Sequence, residues 1–266
     1  MTEPSTAYRR ASGRGGVAAA GAALGVVTGT ALVVLAVVAG PGPGLTGYVS
    51  EAGVAESGYA WTYRIGVFSL ATALLLLAVS LHDEDRRPDP ARMARPDPAR
   101  LVHPDPARAE HPGVAVVRRL AGHRGAAVLR QVATLPGAVA LLVAGALCTL
   151  LSGAVTCSAG CPLPPFEPAT VADLVHGGAS VAATAAVVFA MIAIALAPQA
   201  DRRLRRPAVI AAVVALPLAG AVAAAMLFVG RGSLVGVLER LLLAVAVLWG
   251  LTTALTLASG RRPDRS

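Results

Sequence analysis

The chain has 266 residues, 55% apolar and 14% charged, with a mean hydropathy of +0.66. A soluble domain averages roughly 45–50% apolar and about 25% charged, so this chain has too little polar surface to coat a soluble globule. All 23 basic residues are Arg and the formal net charge is +8; they lie between apolar runs rather than on a basic face, so no nucleic-acid partner is expected despite the high pI.

A helix crossing the ~30 Å hydrocarbon layer needs about 20 apolar residues. Six segments meet that length, and together they predict an all-α, six-span transmembrane helix bundle. The first is Val17 to Ala39, ended by the breaker run Gly40-Pro41-Gly42-Pro43-Gly44. Its apolar stretch is longer than the 7–15 residues of a signal core, which predicts an uncleaved span. Gly21, Gly25 and Gly29 are spaced by four in it, the pattern of a helix-packing face. The second span is Ala60 to Leu81 and the third Val132 to Leu151. The fourth is Leu174 to Ala197, closed by Pro198. The fifth is Val209 to Val229, where Pro217 predicts a kink. The sixth runs from Leu234 to Ala258, with Glu239 and Arg240 in its first turns.

Cytoplasmic loops collect Arg and Lys. With both termini inside, only Arg64, Arg231 and Arg240 of the 23 basic residues fall outside. Tyr48, Tyr59, Trp61 and Tyr63 gather on the outer side, as an interfacial aromatic belt does. The chain thus divides into a cytoplasmic tail (1–16), spans one and two (17–81) with an outer loop (40–59), a cytoplasmic loop (82–131), spans three to six (132–258), and a cytoplasmic tail (259–266). The expected location is the cell membrane, multi-pass. Absence of Lys with abundant Ala, Gly, Pro and Arg reads as a GC-rich coding bias of the actinobacterial kind.

The cytoplasmic loop contains an eight-residue repeat that starts at Arg87, Arg95 and His103, each copy carrying Pro-Asp-Pro-Ala-Arg. Such Pro spacing forbids helix and ladder pairing and predicts a spacer. Val114 to Gln131 alternates apolar residues with Arg118, Arg119, Arg124 and Arg130. It reads either as an interfacial helix under anionic headgroups or as an extension of the third span.

Cys148 lies within a span and reads as a small buried hydrophobe. Cys157 and Cys161 flank Ser158-Ala159-Gly160 in an outer loop, where an oxidising environment favours a disulfide. A metal site there needs two further ligands at compatible spacing, and no nearby residue supplies them, so neither a metal nor a cofactor is expected.

Two stretches carry a resemblance. One is Tyr48-Val49-Ser50-Glu51-Ala52-Gly53-Val54 with Tyr63-Arg64-Ile65-Gly66-Val67-Phe68. The other is Cys161-Pro162-Leu163-Pro164-Pro165-Phe166-Glu167 with Asp173-Leu174-Val175-His176-Gly177-Gly178-Ala179-Ser180. Together they resemble the bacterial membrane family called domain of unknown function 998, from the first span to the sixth, with the Pro-Asp-Pro repeat as an insertion. The resemblance implies six spans and supplies no reaction. Its recurring Ser-Glu and Asp-x-x-His positions match Ser50, Glu51, Asp173 and His176.

Polar groups at membrane depth are costly and often functional. Asp173 and His176 are three apart and share a helix face, at the membrane level of Glu51 and Arg64. The four form a candidate outer-mouth cluster. In a catalytic reading His176 is a base oriented by Asp173, with Ser50 or Ser180 as nucleophile; no residue is assigned as catalytic. In a structural reading Asp173 caps the fourth helix, His176 bonds within the bundle, and Arg64 pairs with Glu51. The leading expectation is a non-enzymatic bundle that binds membrane lipids or a membrane-protein partner. The alternative is a small transporter or an outward-facing hydrolase using Asp173 and His176.

Overall fold

The computed structural model describes residues 6–40, 47–86, 133–164 and 166–260. The Pro-Asp-Pro repeat, the Val114 to Gln131 segment and the Pro41 to Gly44 breaker run lie outside them. Six long helices make up the described fold, and each is long and apolar enough to cross a membrane. They are α1 (Thr6–Ala39), α2 (Ala60–Asp85), α3 (Leu135–Ala154), α4 (Val171–Leu196), α5 (Arg202–Phe228) and α6 (Ser233–Ser259). Two short 3-10 turns, Val49–Gly53 and Ala55–Ser57, stand between α1 and α2. The chain is all-α over these residues.

Each end has a local cause. Thr134 caps α3 by accepting from the Gly137 N–H at 3.1 Å, with Pro136 in the first turn where its missing N–H costs nothing. Asp201 caps α5, accepting from the Arg203 N–H, eight residues before the expected span begins at Val209. The helix starts early because Arg202, Arg203, Arg205 and Arg206 are good helix formers and the Arg205 Nε–H donates to the Ala195 carbonyl of α4 at 3.0 Å. It then continues through both Pro207 and Pro217.

The helices form a closed ring. Each packs on its neighbours in sequence, and α6 returns to pack on α1. The buried core is rich in alanine: Ala19, Ala22, Ala138, Ala190, Ala208, Ala215 and Ala254 are each at most 1% exposed. Large apolar side chains point outward instead, among them Val17, Val38, Ile210, Val213, Leu248 and Phe228. That distribution is the reverse of a soluble core. Lipid tails satisfy the large side chains, while small residues let the helices approach.

The closest approach is α1 on α2. A Cβ built on Gly29 would lie 2.7 Å from Leu70 Cγ and 2.8 Å from the Gly66 carbonyl oxygen. One built on Gly66 would lie 2.9 Å from the Gly29 oxygen. The spacing of Gly21, Gly25 and Gly29 therefore marks a packing face, with α2 as its partner. Ser80 adds a tie near the other end, donating to the Gly15 carbonyl at 3.3 Å.

Gly66→Val is therefore expected to destabilise the protein by ~1–3 kcal/mol, the usual cost of overpacking, because backbone stands in the way. Gly220→Ala, where nothing lies within 4 Å of the added Cβ, should be neutral or slightly stabilising. Thermal unfolding of the two variants in the same detergent checks the contrast.

Candidate functional site

One end of the ring brings together the α1–α2 segment, the α3–α4 loop and the short α5–α6 link. Glu51 sits in the first 3-10 turn and is 6% exposed. A carboxylate so buried must be paired. Arg231 of the α5–α6 link pairs with it bidentately, Nε to Oε1 at 2.9 Å and Nη2 to Oε2 at 2.7 Å. The Tyr48 N–H also donates to Oε1 at 3.0 Å. Its hydrogen bonds to the Glu51 carboxylate hold the Arg231 guanidinium above its ordinary pKa. Beside it the Glu239 carboxylate of α6 accepts the Val49 N–H at 3.0 Å, and Arg240 donates to the Gly47 carbonyl at 3.0 Å. Burial, then the Glu239 charge, push the Tyr48 phenol above its ordinary pKa, so Tyr48 stays a hydrogen-bond donor.

The expected pairing of Glu51 with Arg64 is not the one formed. Arg64 lies on α2 with its guanidinium 5.4 Å over the Trp61 ring. Its Nε is buried without a hydrogen-bond partner. Arg231 reaches Glu51 because it sits in the tight α5–α6 link, directly across the end of the ring.

Asp173 is 2% exposed and fully engaged. Thr170 caps α4, and Asp173 is the third residue of the helix. The Asp173 N–H donates to Thr170 Oγ1 at 3.2 Å, and the Thr170 N–H returns to Asp173 Oδ2 at 2.8 Å, a capping box. The Thr170 hydroxyl adds a bond at 2.7 Å. The other side of the carboxylate faces the α3–α4 loop, taking the Ser158 N–H at 2.6 Å and the Ser158 hydroxyl at 3.1 Å. Asp173 therefore stands within the first turn of α4 rather than in front of it, and it does not orient His176.

His176 faces the end of α3. Its Nδ1 lies 2.8 Å from the carbonyl oxygens of both Ser152 and Val155. Both are pure acceptors, so Nδ1 carries the proton and Nε2 keeps the lone pair. Nε2 is buried and has no partner. Ser152 and Ser180 hydrogen-bond each other at 2.7 Å, and Ser180 also donates to the His176 carbonyl at 3.0 Å. Ser50 contacts Cys161 Sγ at 3.5 Å. The four candidate residues thus fall into separate arrangements: Glu51 with Arg231, Asp173 with its own cap and loop, and His176 and Arg64 on a shared small cavity.

Cys157 and Cys161 are joined as a disulfide with a Cα separation of 5.0 Å, both 6% exposed. The loop turns at Gly160, in the left-handed region, and Cys161 itself has a φ of 45°. The two sulfurs and a ring nitrogen of His176 lie within 4.8 Å of one another. No ligand near the cysteines in sequence was found; His176 is brought in by the fold.

Two adjoining chambers open inside the ring. The outer one, of about 190 Å³, is lined by Tyr48, Ser50, Cys161, Asp173, His176, Ser180 and Glu239 on its polar side and by Val67 and Met226 on its apolar side. The inner one, of about 160 Å³, is lined by Ala22, Val26, Leu74, Leu77, Val187, Val188, Ala246 and Trp249. Leu70, Thr149, Ala183, Thr184 and Leu243 belong to both walls.

Arg231, Ser152, Ser158 and Thr170 were not placed at this site from the sequence; Glu239 was noted there only for its level in the first turns of the sixth span. One signal did exist for Arg231: it is among the three arginines that break the charge asymmetry of the loops.

Asp173→Asn places an NH2 donor against N–H and O–H donors. It should cost about 3 kcal/mol, the upper end for hydrogen bonds to a charged group. The exposed Glu56→Gln should stay within ~0.5 kcal/mol of the native protein. Arg231→Ala strands the Glu51 carboxylate, but the Arg231 side chain is 38% exposed. Its cost should therefore fall below the ~3–5 kcal/mol of a fully buried pair. Chemical unfolding in detergent ranks the three.

No curated protein and no solved structure matches the chain. A family model described as "Protein of unknown function (DUF998)" matches residues 113–256, more than half of the chain and all of α3, α4 and α5 with most of α6. The match includes the Cys161 to Ser180 stretch and leaves the Tyr48 to Phe68 stretch outside. The chain belongs to that family, DUF998.

Proposed function

We propose that the protein is a non-enzymatic membrane bundle that holds one single-chain amphiphile inside its ring. The observation that carries this reading is the pair of adjoining chambers with five wall residues in common, one bearing polar groups at the loop end and the other apolar at mid-depth. A ligand with a hydrogen-bonding head and an apolar tail matches that gradient along its length. The combined space reaches the lower end of the ~300–1,000 Å³ typical of small-molecule sites, which favours one chain over a two-chain phospholipid. Tyr48, Ser50 and Glu239 face the head; Leu74, Leu77 and Val187 face the tail.

The transporter alternative has less support. Of the in-span threonines only Thr149 and Thr184 line the chambers, and each donates to a carbonyl four residues earlier in its own helix. The hydrolase alternative needs a serine on a free ring nitrogen of His176 with Asp173 behind it, and Asp173 serves Thr170 and Ser158 instead. The loop end is placed outside the cell membrane, and both termini inside, on the arginine asymmetry alone.

Native mass spectrometry of protein extracted in polymer-bounded lipid discs should show one co-purifying amphiphile per chain. Ala183 lies in the neck shared by the chambers. Ala183→Phe should reduce the bound amphiphile at least ~10-fold, a loss of about 1.4 kcal/mol of binding. Thr72→Ala, on an exposed position of α2, should leave it unchanged. A folded Ala183→Phe protein with full occupancy would sink the reading. Reporter fusions after Arg203 and after Glu167 test the orientation, with cytoplasmic and external signals expected in turn.

A further inference from the structure

We propose that Cys157, Cys161 and His176 form a redox-gated site for one soft monovalent transition-metal ion, Cu(I), which binds when the disulfide is reduced. Three observations meet there. The two sulfurs and a ring nitrogen of His176 lie within 4.8 Å of one another, and all three residues are at most 6% exposed. Nε2 of His176 is buried with no partner, while Nδ1 bonds two backbone carbonyls at 2.8 Å. Metal-ligating histidines show this division: one ring nitrogen is fixed by a carbonyl, and the other offers its lone pair. A cavity of about 10 Å³ lies between Cys157, His176, Ser50, Ser152 and Arg64. That is about one probe sphere, room for a single ion or water.

The donor set decides the class of metal. Two thiolates and one imidazole are soft, and softness selects Cu(I) or zinc. Zinc takes a fourth ligand, from the protein in structural sites or a water in catalytic ones, and this group offers three, so ligand number alone leaves both ions open. Charge decides further. Two thiolates with a monovalent ion carry one net negative charge, and the Arg64 guanidinium on the same cavity balances it. A divalent ion would neutralise the thiolates and leave Arg64 beside an uncharged centre, with its buried Nε still unpartnered.

The redox step balances with an added phosphine. The Cys157–Cys161 bond breaks, the phosphine supplies two electrons and becomes its oxide with oxygen from water, and each sulfur takes one proton. Cu(I) then displaces both protons to solvent and accepts the Nε2 lone pair. An added small-molecule disulfide then takes two electrons from the two thiolates and two protons from solvent, becoming two thiols; the Cys157–Cys161 bond re-forms, two of the three ligands are lost and the ion is released.

The full-length protein in detergent, reduced with the phosphine without oxygen and then desalted, is titrated with Cu(I) against a chromogenic chelator. One Cu(I) per chain is expected, and none in the disulfide form. X-ray absorption at the copper edge should show two sulfur neighbours and one nitrogen. Cys148→Ala should keep the stoichiometry. His176→Ala should weaken binding by more than ~100-fold, since losing only the partner that orients such a ligand costs ~10–100-fold. Equal uptake by the oxidised form, unchanged binding by folded His176→Ala, or a copper spectrum without nitrogen would overturn the proposal. Displacement of Cu(I) by equimolar Zn(II) would overturn the monovalent assignment. If His176→Ala does not fold, the spectrum of the native protein decides.

Discussion

Closure of the ring at its loop end rests on the Glu51 carboxylate. Glu51 comes from the segment after α1, and the guanidinium that pairs with it lies 180 residues later in the α5–α6 link. The buried Glu51 carboxylate is costly without a partner, so the two segments meet. The Tyr48 and Val49 N–H groups are then settled on Glu51 and Glu239, and the Gly47 carbonyl on Arg240. The 3-10 turn is thereby carried across the end of α6. That placement puts Tyr48 and Ser50 into the wall of the outer chamber. The polar end of the cavity is thus a consequence of one ion pair and the backbone bonds around it.

The chambers have a second cause, in the size of the side chains. Alanine and glycine dominate the helix–helix contacts, and the large residues turn to lipid. A ring of six helices packed through small side chains leaves its centre to be filled by residues that reach inward. Leu70, Leu77 and Leu243 do so only in part. Thr149 and Thr184 border the inner chamber, but their hydroxyls fold back on carbonyls of their own helices, so its wall stays mostly apolar. An apolar cavity of this kind does not favour water, which is why a tail fits it better than an ion path.

The spans were legible because the cost of an unsatisfied backbone in lipid leaves a long apolar run one conformation. Ala39, Ala60 and Ser259 end or begin helices within a residue of the sequence-based limits. The glycine spacing in α1 was legible too, since close approach requires it. The Thr170–Asp173 box was half legible: an acid before an apolar run reads as a cap, but Asp173 proves to be the third helical residue and Thr170 the cap. The pairings across the chain were not legible. Glu51 has no local reason to prefer Arg231 over the nearer Arg64, and Cys157 has none to meet His176. Periodicity reports a residue's face and level; it does not report which helices become neighbours. The arginines that broke the loop asymmetry, Arg64, Arg231 and Arg240, were nevertheless the right ones to question, because each is used at this end.

Asp173 and His176 are one helical turn apart and show opposite degrees of satisfaction. Asp173 accepts four hydrogen bonds, so its chemistry is spent on structure. His176 has one nitrogen engaged and the other free. A buried polar atom without a partner carries a cost that a fold does not keep without a reason. The two roles are connected through the α3–α4 loop. Asp173 holds Ser158, and the Ser158 carbonyl accepts the Cys161 N–H at 2.9 Å. The position of Cys161 is therefore set by the Asp173 anchor as well as by the bond to Cys157. Opening that bond need not release the loop, and the sulfurs can remain beside the His176 ring. The fully satisfied residue is what lets the unsatisfied one keep its partners within reach.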